Sequence, residues 1–556
     1  MDVIMQRQQS YSRFYWLIVL AATYVSWYFY YVVQYAVNIP YLDDYDAILK
    51  YILTFREVNF GEQLQSLLLP HNEHIMMMTR VVSWVSYSLT KKIDFGSLLF
   101  IGNGLLLIQL CFLYRLFTPS NRFSAVYFLM VILIFLNPQY SPTSFWTMAL
   151  WSNIWVLLPV TLSIFLLSNP KIWYWALPAA LLSLFSNGNG LMIWPVGFLI
   201  LLMDKRPLKQ YIIWGTTAVL ASGSYFYLMR QQASSSFFEL SNLLFLPLNL
   251  LAFLGSYGAL LGGKLGQTMA VLVGIVVAIM TLISFKKYLK TRERTDLILL
   301  SLMSFIFLTA FAVALFRAEK GMSIIIGGRY RQYSSLAVAI SFLMGFRLIK
   351  FSVNRLIALL PWAIVIIITA LSFYRDIGLR KTTEWRTVAD YYNILNNQVD
   401  VYTTDGTPRF VKTATEAHKI GLYTIPPRYD LMAQLKMAPQ LPFKGKQQKE
   451  HNEETKVDGI TCGNYWLIEE PQLEFPKAAN EAIYLVLTKG QKKIIFPTAS
   501  TRNDLVNMLK QRSYFKKGLE AEAYDCVQTF NQYQINWLKV GTQPILYATN
   551  TTIFDQ

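Results

Sequence analysis

Between Asn38 and Arg80 the chain gathers ionisable side chains that most of it avoids. The stretch NIPYLDDYDAILKYILTFREVNFGEQLQSLLLPHNEHIMMMTR holds Asp43, Asp44, Asp46, Glu73 and two of the chain's four histidines, His71 and His74. It lies between apolar runs, where desolvating a charge is costly, so a dense cluster points to a site before a scaffold. Asp43 and Asp44 are adjacent. A carboxylate there can take the proton from an acceptor hydroxyl as general base. Its neighbour raises one pKa of the pair toward neutrality. The structural alternative is a helix N-cap ahead of residues 46–55. His71 and His74 flank Glu73 three residues apart, unlike the one-turn spacing of the HExxH zinc motif. Asp44, His71, Glu73 and His74 are candidate ligands for a divalent cation, with Asp43 or Asp46 as alternatives. The same His71, Asn72, Glu73 and His74 can instead recognise a sugar or phosphate, or cap a helix that begins near Ile75. A third element is GGRYRQYS at 327–334. Arg329 and Arg331 there can hold a phosphate through bidentate hydrogen bonds, or snorkel to headgroups. Arg317 and Lys320 are weaker candidates of the same kind.

These residues need elements to position them, and composition says which. Of 556 residues, 54% are hydrophobic and 15% aromatic. Repeated apolar runs long enough to cross about 30 Å of hydrocarbon indicate a polytopic membrane protein. The net charge of +17 does not imply nucleic acid, because much of the Lys and Arg falls in short loops between apolar runs. The run 14–37 lacks a clean small-x-small cleavage site, which favours a retained first helix with a cytoplasmic N-terminus over a signal peptide. Later runs cover roughly 97–117, 123–137, 145–167, 172–186, 190–203, 211–229, 266–285, 296–316, 333–349 and 356–374. With the basic loops inside, this makes eleven spans, or thirteen if the ambiguous runs 75–90 and 243–262 both cross. The latter, with Pro247 and several glycines, also suits a re-entrant segment. Asp46 to Phe55 has the spacing of a short amphipathic helix on the membrane surface. This parity puts the acidic loop (38–96) outside. With it go four irregular stretches: 137–146, SNGNG at 186–190, 230–242 and 316–334. Backbone freed at such breaks needs protein or water partners, and breaks converging on one face suggest a cavity.

From residue 376 no spanning run follows, so the chain divides into a membrane domain, 1–375, and a small extracytoplasmic α/β or β-rich domain, 376–556. Thr383 to Gln398 has amphipathic helical spacing. Strand-like runs lie at 465–470, 482–488, 492–498 and 535–540, with Gly490 between the middle two as a hairpin requires. Of three cysteines, Cys111 reads as inert packing in an apolar run, and Cys462 and Cys526 can pair in an oxidising compartment. No P-loop, GxSxG or dinucleotide fingerprint occurs, so an activated substrate would come from the membrane or the outer face.

With an acidic motif directly after the first span, here Asp43-Asp44-Tyr45-Asp46, the chain resembles the GT-C superfamily of integral-membrane glycosyltransferases. It is also similar to bacterial GT-C-like proteins in having His71 to His74 late in that loop, an Asn-Gly break at Asn187 to Gly190, and Arg329-Tyr330 opening a late span. The resemblance covers about residues 10–375. It implies a bacterial inner-membrane enzyme that moves a sugar from a polyprenyl-phosphate donor to an extracytoplasmic glycan or glycolipid acceptor, with inversion. Asp43 or Asp44 would be the base. Arg329, with Arg331, would hold the donor phosphate, and Asp46, His71, Asn72, Glu73, His74, Arg80, Asn187, Asn189 and Tyr330 would line the substrate site. Trp146, Trp151 and Trp194 would be sugar or lipid platforms, or belt residues. No cofactor beyond a divalent cation is implied. The rival expectations are a transporter or flippase of lipid-linked glycans, and a non-catalytic scaffold.

Overall fold

The computed structural model describes residues 2–72, 74–117, 122–230, 242–317, 321–348, 355–397, 410–445, 448–452, 455–457, 460–462, 465–476, 478, 480–500, 503, 505–524 and 532–553. The chain forms two compact units. The first comprises Met1–Val33, Glu57–Val82 and Ser97–Asp376; the second comprises Gln34–Arg56, Ser83–Gly96 and Ile377–Gln556.

Among the described residues seven helices are long and apolar enough to cross a membrane, and the protein is a polytopic helical membrane protein. Seven is fewer than the eleven runs in the sequence, because Pro and Asn-Gly breaks shorten several of them. The helices Trp173–Ser186 and Gly188–Met203 are only about 21–24 Å long at 1.5 Å per residue, less than the hydrocarbon thickness. The helix Asn242–Leu254 contains Pro247 and gives way to a 3₁₀ turn, Ser256–Leu261. It folds back antiparallel on the helix Gly263–Thr291, with backbones nearly touching. A Cβ on Gly274 would lie 1.9 Å from the Leu251 carbonyl oxygen, and one on Gly255 would lie 2.0 Å from that of Ala270. Small residues permit such approach where helices pack in lipid.

One end of this unit carries the basic loops. Arg347 pairs with Asp296 and Glu293, and Lys287 lies 2.9 Å from the same buried Asp296. Tyr288 and Arg292 donate to the Met203 carbonyl, and Arg206 donates to that of Leu167. Arg347 ends the helix Arg331–Leu348, whose first residue lies among the chain breaks. At 1.5 Å per residue the two ends are about 27 Å apart, close to a bilayer core.

The second unit is built on an eight-stranded sheet that curves into a half-barrel. Its strands are β1 (Gln440–Pro442), β2 (Gln448–Asn452), β3 (Tyr465–Glu470), β4 (Ala482–Lys489), β5 (Lys492–Ala499), β6 (Leu519–Tyr524), β7 (Gln534–Val540) and β8 (Ile545–Thr552), in the order β1-β8-β7-β4-β5-β6-β3-β2. All neighbours are antiparallel except β1 and β8. The four strand-like runs of the sequence are β3, β4, β5 and β7. Lys489 pairs with Lys492 across Gly490–Gln491, and Gly490 takes φ +59 in this tight turn. The span expected at 356–374 and the helix expected at 383–398 are one continuous helix, Arg355–Asn397. Nothing between 374 and 383 breaks it, and Gly378 alone costs only about 1 kcal/mol. Its Asn393 side chain exchanges both hydrogen bonds with the backbone of Ile495, and Asn397 donates to the Lys493 carbonyl. These carboxamides cover a strand edge that β6 leaves unpaired.

The segment expected on the membrane surface packs inside this second unit. Tyr45–Lys50 is a π-helical turn leading into the helix Tyr51–Phe55, and Ile48, Leu49 and Ile52 are fully buried. Tyr45 stacks on Phe410, 5.1 Å between ring centres, beside the helix Val411–Lys419. The Asn38 carboxamide joins two further segments, accepting from Phe95 N–H at 2.7 Å and donating to the Thr424 carbonyl at 2.7 Å.

Candidate functional site

The acidic loop is divided between the units. Asp43, Asp44 and Asp46 fall in the second; His71, Asn72, His74 and Arg80 fall in the first. Glu73, Lys320 and Cys526, with the stretches 231–241 and 318–320, lie outside the described residues. Among those described, no group of three or more His, Cys, Asp or Glu side chains is placed to hold a metal ion.

In the second unit, Leu42 takes φ +48 and the chain turns at Tyr41–Asp44. Asp44 is buried. Although it stands at the N-cap position it does not bond forward into the helix; its carboxylate accepts from the Tyr41 N–H at 3.1 Å and braces the turn. Asp43 and Asp46 are half-buried.

In the first unit, Pro70 pairs with Ile75 and His71 with His74 in a small antiparallel ribbon. Directly opposed residues share one face with Cβ atoms about 5 Å apart, so both imidazoles project from the same side. Asn72 takes φ +48 at the turn, a conformation Asn tolerates. Arg80, expected at the substrate, is buried beneath the ribbon. Its guanidinium donates to the carbonyls of Ser66, Leu67, Leu69 and Pro70. It thereby satisfies the open C-terminal end of the helix Phe60–Ser66 and holds the ribbon in place.

His74 reaches the Asn-Gly break. A Cβ on Gly188 would lie 2.9 Å from His74 Nδ1 and 3.1 Å from the Tyr225 hydroxyl oxygen, so glycine is what lets the three meet. From here a polar network crosses the unit. Asn187 donates to the Asn153 side chain at 2.9 Å, and Asn189 donates to the Tyr333 hydroxyl at 2.7 Å. Tyr333 in turn donates to the Asn153 carbonyl at 3.3 Å. Asn153 lies in the π-helical turn Leu150–Ile154, and such turns often re-aim side chains at functional sites. Gly328 packs on Pro142, where a Cβ would come within 2.5 Å of the proline ring. Three of the four irregular stretches, 137–146, 186–190 and 316–334, therefore meet, the last through Gly328 and Tyr333.

The arginines divide. Arg329 is exposed, and Tyr330 rests on Phe253. Arg331 turns inward and donates to the carbonyls of Ile326 at 3.0 Å and Ala259 at 3.4 Å. Arg375 donates to the Leu260 carbonyl next to it. The neighbouring Asp376 is buried and accepts from Tyr31 and Ser141. Asn153, Tyr225, Tyr333, Arg375 and Asp376 were not selected from the sequence. Their one local signal is a polar group set within an apolar run. Trp151 and Trp194 are no platforms. Trp151 is buried and donates to the Leu98 carbonyl; Trp194 packs against Trp214 at 4.9 Å. Cys111 is exposed on its helix rather than packed.

Amides, hydroxyls and an imidazole at the end of a helical bundle, with guanidinium groups nearby, suit a ligand carrying both hydroxyls and an anion. No family model, curated protein or solved structure matches the chain.

Proposed function

We propose that the chain is a GT-C-type membrane glycosyltransferase that moves a sugar from a polyprenyl-phosphate donor to an extracytoplasmic glycan or glycolipid hydroxyl. The observation that carries this reading is the meeting of two chain breaks, 186–190 and 316–334, on the Asn153–Asn187–Asn189–Tyr333 network, with the break 137–146 packed on Gly328 beside it, at the end of the first unit opposite its basic loops. The positive-inside rule makes that end the outer one. Asp43 or Asp44 takes the acceptor proton. Arg331, with Arg329, stabilises the departing lipid phosphate, a developing charge that fixed donors lower in energy. His71, Asn72 and His74 contact the substrate, while Arg80 positions their ribbon.

The test uses purified full-length Asp43→Asn and Asp44→Asn, assayed separately with a polyprenyl-phosphate sugar. Loss of the general base is expected to cut turnover about 10²–10⁴-fold. Full turnover in both variants removes the base assignment. Lipid-linked sugar crossing liposomes without any transfer overturns the enzyme reading in favour of a transporter.

A further inference from the structure

The sequence places a surface helix at 46–55, but the second core buries that segment. The apolar face that stays open lies a few residues further on. The helix Phe60–Ser66 has no buried residue, and its turns run on to Leu69 through backbone bonds from Leu67, Leu68 and Leu69. Phe60, Leu64, Leu67 and Leu68 stand at i, i+4, i+7 and i+8, one stripe of a helix, with Glu62, Gln65 and Ser66 on the other side. Phe60 is 62% exposed, Leu64 44% and Leu69 55%. Both ends of the helix are closed by side chains. Asn59 and Glu62 cap the first turn reciprocally: the Asn59 carboxamide accepts from the Glu62 N–H at 3.0 Å, and the Glu62 carboxylate accepts from the Asn59 N–H at 3.2 Å. At the other end Arg80 covers the carbonyls of Ser66, Leu67, Leu69 and Pro70.

A helix in water can leave its terminal backbone groups to the solvent; one at a hydrocarbon boundary cannot. The depth agrees. The ribbon that Arg80 ties to this helix packs its His74–Ile75 strand on the helix Leu208–Met229, and His74 and Tyr225 meet there at Gly188. Tyr225 lies about 26 Å along that helix from its Leu208 end, at 1.5 Å per residue, close to the far boundary of a hydrocarbon core about 30 Å thick. Phe226 and Tyr227 are exposed at the same level, so the lipid-facing surface of the span reaches the ribbon. A stable protein interface takes about 20–30 residues a side, far more than one short helix presents. An interfacial helix needs only an apolar stripe sunk about 5–10 Å into the boundary between headgroups and acyl chains. We propose that Phe60–Leu69 lies on the leaflet remote from the basic loops, with Phe60, Leu64, Leu67 and Leu68 in the lipid, and so holds the His71–His74 ribbon at the membrane surface. A ligand carried on a lipid then meets the ribbon without leaving the bilayer. This holds whatever chemistry the chain performs.

The experiment reads the surroundings of single spin labels on the full chain, in vesicles of phosphatidylethanolamine and phosphatidylglycerol. Phe60→Cys, Glu62→Cys, Leu64→Cys and Gln65→Cys are made one at a time with the three native cysteines replaced by serine. A chain keeping only Cys111, exposed on its span, is the lipid reference. Oxygen concentrates in hydrocarbon and a nickel chelate in water. Labels at 60 and 64 are expected to match Cys111, colliding with oxygen several-fold more than with the chelate, and labels at 62 and 65 to show the reverse. Four labels that all favour the chelate put the helix in water. Labels at 60 and 64 that collide with neither put a protein partner, such as a second copy, on the face. Either result overturns the proposal. The wild-type chain gives an independent check, in the same vesicles doped with a phospholipid that carries a diazirine on its acyl chain. Trypsin cuts after Arg56 and Arg80, and the peptide 57–80 between them should carry adducts on residues 60–69. An unlabelled 57–80 beside labelled peptides from the spans overturns it as well.

Discussion

Arg80 and Asp44 show how single buried polar residues are used here. Both are charged residues in a stretch whose composition suggests chemistry, and each bonds to backbone. Arg80 covers the carbonyls of residues 66, 67, 69 and 70. Arg80→Ala is therefore expected to lower unfolding stability by about 1–3 kcal/mol, the cost of stranding buried polar groups. Arg80→Lys should recover only part, since one ammonium cannot span the same row of oxygens. Chemical denaturation of both variants in detergent checks this. A second residue-scale expectation concerns pH. On the curved sheet Glu520 sits opposite Glu469 and two residues from Glu522. Partial burial and then repulsion from Glu469 and Glu522 raise its pKa above the usual carboxylate value. The folded state thus holds the proton more tightly than the unfolded one. The associated stability is fully present below the unfolded pKa and is lost as pH rises through the folded one. Glu520→Gln should therefore unfold at a higher temperature than wild type at pH 7, with the difference shrinking as pH falls toward the ordinary carboxyl range. A constant difference from pH 7 to pH 4.5 would discount this.

At the scale of elements, breaks shape the membrane unit more than spans do. The pairing of Asn242–Leu254 with Gly263–Thr291 depends on glycines, because a side chain at Gly274 would meet the Leu251 carbonyl oxygen at 1.9 Å. Gly274→Ala is expected to force the helices apart and destabilise the protein by at least about 1–3 kcal/mol, the usual cost of overpacking. Gly223, facing open space on the helix Leu208–Met229, should accept alanine without loss. Comparing thermal unfolding of the two variants tests whether close approach, rather than helix propensity, decides. The helix Arg355–Asn397 shows the converse effect. Its first part is apolar enough to read as a span and its last part docks on a sheet through Asn393 and Asn397. Hydropathy reports the change of surroundings, and the backbone passes through it without interruption.

For the whole molecule, the ion pairs and carbonyl bonds joining Leu167, Met203, Arg206, Lys287, Asp296 and Arg347 collect the basic loops at one end. If that end is cytoplasmic, as we propose, alkaline phosphatase fused after Gln556 should be active in a bacterial host and a fluorescent protein fused there should be dark; the reverse pattern would invert the proposed topology. What the sequence determined by itself is what local pattern can carry. Apolar runs announce a membrane protein, short runs rich in β-branched and aromatic residues mark β3, β4, β5 and β7, and Gly490 marks the tight turn between β4 and β5, because residue type and turn chemistry act over a few residues. The candidate polar groups were partly visible for the same reason: Asn187 and Asn189 sit in a Gly-rich break, and Arg331 sits at the mouth of a run. Only the tertiary structure decided which of them meet. Asn189 and Tyr333 are 144 residues apart, and Asn153 and Tyr333 are 180 apart. Such pairings come from how broken helices pack, so no local spacing encodes them. The same holds for the acidic loop, which looks continuous between Asn38 and Arg80. Burial of Ile48, Leu49 and Ile52 draws its first half into one core, while Arg80 binds its second half into another.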